Sequence, residues 1–188
     1  MLEVLDGGWL TTIQDLGRPG YERYGIPVSG AMDFFALRVA NGLVGNPPGA
    51  AGLEITLVGP VLAATAPCLV AVTGADLTFR VDGREMPMWM SVFVRRGSVI
   101  SFGGRRRGCR AYLAVAGGIE VPPVLGSRST YLPGRFGGWE GRAARGRPSA
   151  HWARLRASAG AGRTTVPAPP SPGLQRLPDG PRGARSAG

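Results

Sequence analysis

Between Leu2 and Val121 the chain never runs far without a break, because short stretches rich in Val, Ile, Leu and Ala are cut at close spacing by Gly, Pro or Asp. Apolar or β-branched runs of about four to eight residues between turn signals are the mark of a mainly β, antiparallel fold. Strands are expected at 2–5, 10–14, 53–58, 68–73, 77–81, 89–94, 98–102 and 110–116. Asp82-Gly83 is a strong hairpin signal, and Arg96-Gly97 marks another turn. One segment has a different period. Residues 30–44 put Met32, Phe35, Ala36, Val39, Ala40 and Leu43 at helical spacing, with Ser29 or Gly30 as the cap, Asp33 in the first turn and Asn46-Pro47-Pro48 as the stop.

Charge divides the chain in two. Residues 1–140 hold 13 arginines against 11 acids, whereas residues 141–188 hold nine arginines against the single acid Asp179. The net charge of +10 therefore belongs mostly to the tail. That tail contains no Ile, Phe or Tyr and is dominated by Gly, Pro, Ala, Ser and Arg. Such a composition cannot bury enough apolar surface to offset chain entropy. The expected organisation is a folded unit over 1–145 and a disordered segment over 146–188, read as a frameshifted end rather than a nucleic-acid-binding arm. Nucleic acid is not expected as a partner.

Residue types that are missing narrow the chemistry. All 22 basic residues are arginine, which excludes a P-loop lysine, a Schiff-base lysine and a biotinylated lysine on this polypeptide. The one histidine, His151, lies in the tail, so the trunk has neither a Ser-His-Asp nor a Cys-His arrangement, and no metal site is expected. Cys68 and Cys109 read as a small buried residue and an exposed or half-exposed thiol in a reducing compartment. The N-terminus has no basic leader pattern and no run is long enough to span a bilayer, so a cytoplasmic protein without a membrane role is expected.

Polar residues concentrate in two places. Within TTIQDLGRPGYERYGIPVSGAMD (11–33), a strand end, a Gly17-Arg18-Pro19-Gly20 reversal and a helix start bring Gln14, Asp15, Arg18, Ser29 and Asp33 to the ends of regular elements, where binding groups tend to sit. Read singly, Asp15 could equally cap a turn, Arg18 pair with it, and Ser29 serve only as an N-cap. The second cluster is Gly126-Ser127-Arg128-Ser129-Thr130-Tyr131, whose hydroxyls and backbone N–H groups beside a glycine could form an anion-binding concavity or a plain solvated loop. Glu54 and Asp76 are weaker candidates: Glu54 lies among apolar strand residues, and the TGAD of 73–76 could be a strand ending in a turn.

These stretches, together with NPPGAAGLEITLVGP (46–60) and RAYLAVAGGIEVPPVLGSRSTYLPGRFGG (110–138), closely resemble the family of the C subunit of bacterial 5-oxoprolinase. That family is also called the biotin-dependent carboxyltransferase or allophanate hydrolase subunit 2 family, and it includes the antagonist of the sporulation-kinase inhibitor. The resemblance runs over residues 1 to about 145. It implies a cyclophilin-like β-barrel, incomplete here because motif blocks of the family's later half are absent. It also implies a hetero-oligomer with a B-type subunit and a lactam-hydrolysing A subunit. The activity implied is ATP-dependent opening of 5-oxoproline to glutamate, or a related carboxyl transfer, the truncated chain being inactive alone. The alternative is a non-catalytic module that sequesters a B-type partner. ATP would act at the level of the complex, and biotin only on a separate carrier. With no lysine and no trunk histidine, a general base on this chain is a carboxylate such as Asp15 or Asp33; Gln14, Arg18, Ser29, Arg128, Ser129 and Thr130 are the substrate-binding candidates, Arg18 and Arg128 each lying within a motif that matches the family. Arg18 and Arg128 are expected to grip an anionic or amide ligand in one cleft, since the guanidinium fork suits carboxylate or phosphate.

Overall fold

The structure is a computed structural model that describes residues 2–144 and the backbone of the short strand at 156–157. The remaining tail, expected to be disordered, lies outside the described residues. Two five-stranded antiparallel sheets carry the fold. One contains β1 (Leu2–Asp6), β4 (Val61–Ala64), β9 (Val99–Phe102), β6 (Phe79–Val81) and β7 (Arg84–Glu85) in that order. The other contains β2 (Leu10–Gln14), β3 (Gly52–Thr56), β10 (Arg107–Val115), β5 (Cys68–Asp76) and β8 (Ser91–Val94). A small ribbon joins β11 (Ile119–Glu120) to β12 (Arg156–Ala157).

Alternation along the strands decides what lies between the sheets. Val4, Leu62, Phe79 and Ile100 from one sheet meet Ile13, Leu53, Ile55, Val70, Val72, Val94 and Leu113 from the other in a single buried cluster. Each such aliphatic side chain stabilises the fold by about 1.5–3 kcal/mol relative to exposure. The other residues of β10 and β5 point outwards, and the helix α1 (Phe34–Leu43) covers them. Ala36 and Leu37 pack with Tyr112, while Ala40 and Val44 pack on Ala71 and Ala114. Thr73 Oγ1 donates to the Ala36 carbonyl at 2.8 Å and ties the helix to β5.

The helix begins later than its apolar period suggests. Asp33, not Ser29 or Gly30, is the N-cap, with its side chain accepting from the Ala36 N–H at 2.9 Å. Ser29 and Gly30 instead have φ of 56° and 91° and form the reversal before the helix. Among the described residues no helix is long and apolar enough to cross a membrane, and no group of three or more His, Cys, Asp and Glu side chains is placed to hold a metal. Cys68 is half-buried, Cys109 is exposed, and both are free thiols.

Candidate functional site

The two polar stretches meet, although over a hundred residues separate them. Asp15, at the end of β2, is buried. Its Oδ1 accepts hydrogen bonds from Ser127 Oγ at 2.7 Å, from the Gly17 N–H at 2.8 Å and from Ser129 Oγ, while Oδ2 accepts from the Arg128 N–H. Ser129 Oγ also receives the Asp15 N–H at 3.0 Å. The concavity of hydroxyls and N–H groups over 126–131 therefore does hold an anion, and the anion is the chain's own Asp15 carboxylate. Thr130 donates from both N and Oγ1 to the Ile13 carbonyl, at 2.9 and 3.0 Å, and its own carbonyl accepts from Gln14 Nε2 at 3.3 Å.

Arg18 lies beneath this clamp with only 1% of its surface exposed. Its Nη2 donates to the Ser129 carbonyl and its Nε to the Val124 carbonyl at 3.4 Å, and the guanidinium carbon stands 4.9 Å from the centroid of the Phe136 ring. Burial pulls the Arg18 pKa down, and the negative charge of Asp15 pushes it back up. The approach is close enough to need a glycine: a Cβ on Gly137, at φ 70°, would lie 2.0 Å from the Ser129 carbonyl oxygen and 2.8 Å from Arg18 Nη2. Arg128 shares the loop, but its side chain is exposed and Nε donates to the Val121 carbonyl at 3.1 Å. Arg18 and Arg128 are thus neighbours held by backbone carbonyls, and neither lines the large cleft described next. Ser29 makes no side-chain hydrogen bond among the described residues.

Asp33 is elsewhere, on an open cleft of about 810 Å³ between the start of α1, the bulged ends of β5 and β10, and residues 85–89. At its floor, Tyr112 donates its hydroxyl proton to Glu54 Oε2 at 2.8 Å and accepts the Asp33 N–H at 2.8 Å. Glu54 Oε2 also accepts the Met32 N–H at 2.8 Å, and Glu54 Oε1 lies 3.5 Å from Arg110 Nε. Burial, with the negative charge of Glu54 next, raises the Tyr112 pKa far above its ordinary value, so the phenol remains a donor. Met32, Met86, Met88 and Trp89 form apolar walls, with the Trp89 ring 6.4 Å from that of Phe35. Trp89 has φ 59°, a conformation that a bulky residue adopts only under constraint.

Sequence reasoning passes over Tyr112 and Arg110, both inside the run RAYLAV. A signal exists in Glu54. A half-buried acid in an apolar strand needs a partner on a neighbouring strand, and Tyr112 is its cross-strand partner in the β3–β10 register.

The chain is similar to known proteins along most of its length. The family described as carboxyltransferase domain, subdomain A and B, matches residues 24–183. Urea amidolyase of Saccharomyces cerevisiae (strain ATCC 204508 / S288c) is 44% identical over 142 residues, which is 75% of this chain and 8% of the yeast protein. The C subunit of 5-oxoprolinase from Escherichia coli (strain K12) is 43% identical over 142 residues, covering 76% of this chain and 46% of the bacterial protein. The crystal structure of the K. lactis urea amidolyase superposes with a TM-score of 0.76 at 39% identity, over 84% of this chain and 10% of that one. The chain thus spans under half the length of the bacterial relative and about a tenth of the yeast enzymes.

Proposed function

The chain belongs to the carboxyltransferase-domain family, subdomains A and B, and on that premise we propose that it is a C-type subunit of an enzyme complex acting on a planar amide. The reaction is the ATP-dependent opening of 5-oxoproline to glutamate or the related biotin-dependent transfer of a carboxyl group. The assembly is completed by a B-type subunit and a lactam-hydrolysing A subunit. The names of the relatives, the C subunit of a 5-oxoprolinase and urea amidolyases, support this reading. The observation that carries it is the cleft, where hydrogen-bond donors and acceptors converge beside apolar walls.

Both reactions need negative charge stabilised on an amide oxygen. Arg107 and Arg110 line the cleft and supply guanidinium groups for that purpose. With no lysine in the chain and the one histidine in the tail, proton transfer in the cleft falls to a carboxylate. Asp33 fits, since one oxygen caps α1 and the other makes no hydrogen bond among the described residues. Asp15 is assigned to structure because its carboxylate already accepts four hydrogen bonds. ATP, where the reaction consumes it, is assigned to the complex rather than to this cleft.

The test is co-expression of the chain with A- and B-type subunits, followed by assays of ATP-dependent glutamate release from 5-oxoproline and of carboxyl transfer from carboxybiotin to urea. We expect one of the two activities, reduced about 100-fold by Asp33→Asn in this chain. A complex that forms but shows neither activity, or one indifferent to that substitution, overturns the reading.

A further inference from the structure

The two large sheets end in four edge strands, and three of these are protected. On β2, the Ile13 carbonyl accepts the Thr130 N–H and the Thr11 carbonyl accepts the Ala144 N–H, both at 2.9 Å. β1 carries the acids Glu3 and Asp6, and β7 is only the charged pair Arg84–Glu85. Cover, charge and brevity are the means by which edge strands avoid pairing with another chain. β8 has none of them. It pairs only with β5, and residues 86–94, MPMWMSVFV, carry no charge. Val92 and Val94, opposite Val70 and Cys68, point into the core, while Ser91 and Phe93 point outwards and stand exposed. α1 seals Ala71 and Ala114 and reaches Leu69, the cross-strand neighbour of Phe93, but leaves Phe93 bare. At the start of the strand, Met90 and the Trp89 and Phe35 rings, the two rings 6.4 Å apart, add further exposed apolar surface.

We propose that β8 is the docking edge for a second copy of this chain, the two β8 strands pairing antiparallel about a two-fold axis normal to the sheet. A two-fold contact uses the same patch on both copies, and β8 is complementary to itself in face and in charge. To keep the valines inward on both sides of the seam, the axis must pass through a residue, because a one-residue slip exchanges the two faces. Placed at Val92, it would leave each Phe93 opposite a serine. Placed at Phe93, it sets Phe93 against the partner's Phe93 on the outer face and Val92 against the partner's Val94 on the inner one, so three successive pairs are apolar. Arg95 and Arg96 then fall at opposite ends of the seam, beside the partner's Ser91 and Met90, with the partner's Trp89 within reach of a cation–π contact. A parallel seam would set the arginines side by side. The product is one ten-stranded sheet with a copy of α1 on either side of the paired phenylalanines. Trp89 also lines the cleft, so the seam borders that wall.

The test uses the full 188-residue chain in sedimentation equilibrium and in disulfide trapping. The parent chain should associate reversibly to a dimer and no further, since the seam consumes both open edges. Phe93→Lys, at an exposed position, should be monomeric with an unchanged circular dichroism spectrum. Trapping reads the register. In a Cys109→Ser background, Phe93→Cys places the two thiol-bearing residues directly opposite, with Cα atoms about 4.5–5.5 Å apart, and should give a covalent dimer with oxidised glutathione as the oxidant. Ser91→Cys in the same background lies four positions out of register with its own copy, about 13 Å away, and should give none. The half-buried Cys68 is common to both variants, so their difference reports the introduced thiol alone. A dimer that persists in Phe93→Lys, equal trapping at 91 and 93, or a parent chain that stays monomeric would each overturn the proposal. A chain that is monomeric alone, but whose Phe93→Lys variant no longer joins A- and B-type subunits, gives the edge to one of those subunits and overturns it as well.

Discussion

Replacing Asp15 by alanine removes the acceptor on which the loop over 127–130 is hung. Four donors lose their partner at once: two buried serine hydroxyls and the N–H groups of Gly17 and Arg128. An orphaned buried donor costs about 1–3 kcal/mol. The Gly17 and Arg128 amides are only partly buried and recover some of that from water, which leaves most of the loss with Ser127 and Ser129. The buried Arg18 also loses the nearby negative charge that partly offsets its desolvation. These contributions overlap, so we expect a total of about 3–5 kcal/mol rather than their sum. At about 2–4 °C per kcal/mol for a domain of this size, Tm should fall by about 6–20 °C. Thermal unfolding followed by circular dichroism measures the drop, and hydrogen exchange should show the amides of 128–130 losing protection first. Asp15→Asn keeps one carbonyl oxygen but turns an NH2 towards the donors, so it should lose about half as much. A drop below about 1 kcal/mol, combined with abolished turnover in the assembled complex, would refute the structural assignment and make Asp15 a catalytic group.

The alkaline limb of stability should belong to Tyr112. Its folded pKa is raised well above the ordinary value, so the unfolded chain releases the phenolic proton first and stability must fall as the pH rises beyond about 10. Tyr112→Phe should flatten that limb in urea titrations while costing about 1–3 kcal/mol at neutral pH, and an unchanged limb would contradict the assignment. Gly137→Ala should destabilise by more than about 1 kcal/mol and disturb the Arg18 contacts, read from Tm, because its Cβ would collide with the Ser129 carbonyl; a neutral effect would mean the loop is loosely packed. Phe93 on the open edge β8 and Met90 just before it are each 56% exposed, so sedimentation should reveal concentration-dependent association that Phe93→Lys suppresses, whereas a parent chain that stays monomeric would show the edge to be harmless.

Much of the β framework is legible because apolar runs between turns report strands directly. The strand at 10–14 reads true to the residue, and each of the eight expected runs overlaps a strand. Val61–Ala64 escapes because VLAA after Pro60 has little β-branching and no alternating polar residue, so its strand character comes from pairing with β1 and β9. Arg107–Cys109 escapes because a bulge, not an apolar pattern, carries β10 outwards. The helix start reads early because Met32 fits the apolar period while the cap chemistry sits at Asp33. In the site, the polar character of Asp15, Arg18 and Ser129 is visible, but a pairing across 114 residues leaves no local trace. Reading these residues as ligand contacts and reading them as one another's partners are equally consistent with the sequence. Burial separates the two: Arg18 at 1% exposure is enclosed by its own loop.

The clamp and the cleft are mechanically one object, because the segment between them closes on itself. The Asp15 carbonyl accepts the Ala31 N–H at 2.9 Å, and the Arg18 N–H donates to the Val28 carbonyl at 2.8 Å, so residues 15–31 form a loop with adjacent ends. The next two amides, Met32 and Asp33, are those held by Glu54 and Tyr112 at the cleft floor. A fault in the clamp should therefore loosen the start of α1, even though no clamp side chain lines the cleft. A double-mutant cycle between Asp15→Asn and Tyr112→Phe measures this link. Groups sharing one network couple by about 0.5–3 kcal/mol, whereas independent sites add to within about 0.3–0.5 kcal/mol. Coupling in the first range would explain why so short a stretch near the chain's beginning is crowded with polar and turn-forming residues: it seats the later loop and sets one wall of the cleft. Additive effects would separate the two roles and leave the position of Asp33 to Tyr112 and Glu54 alone.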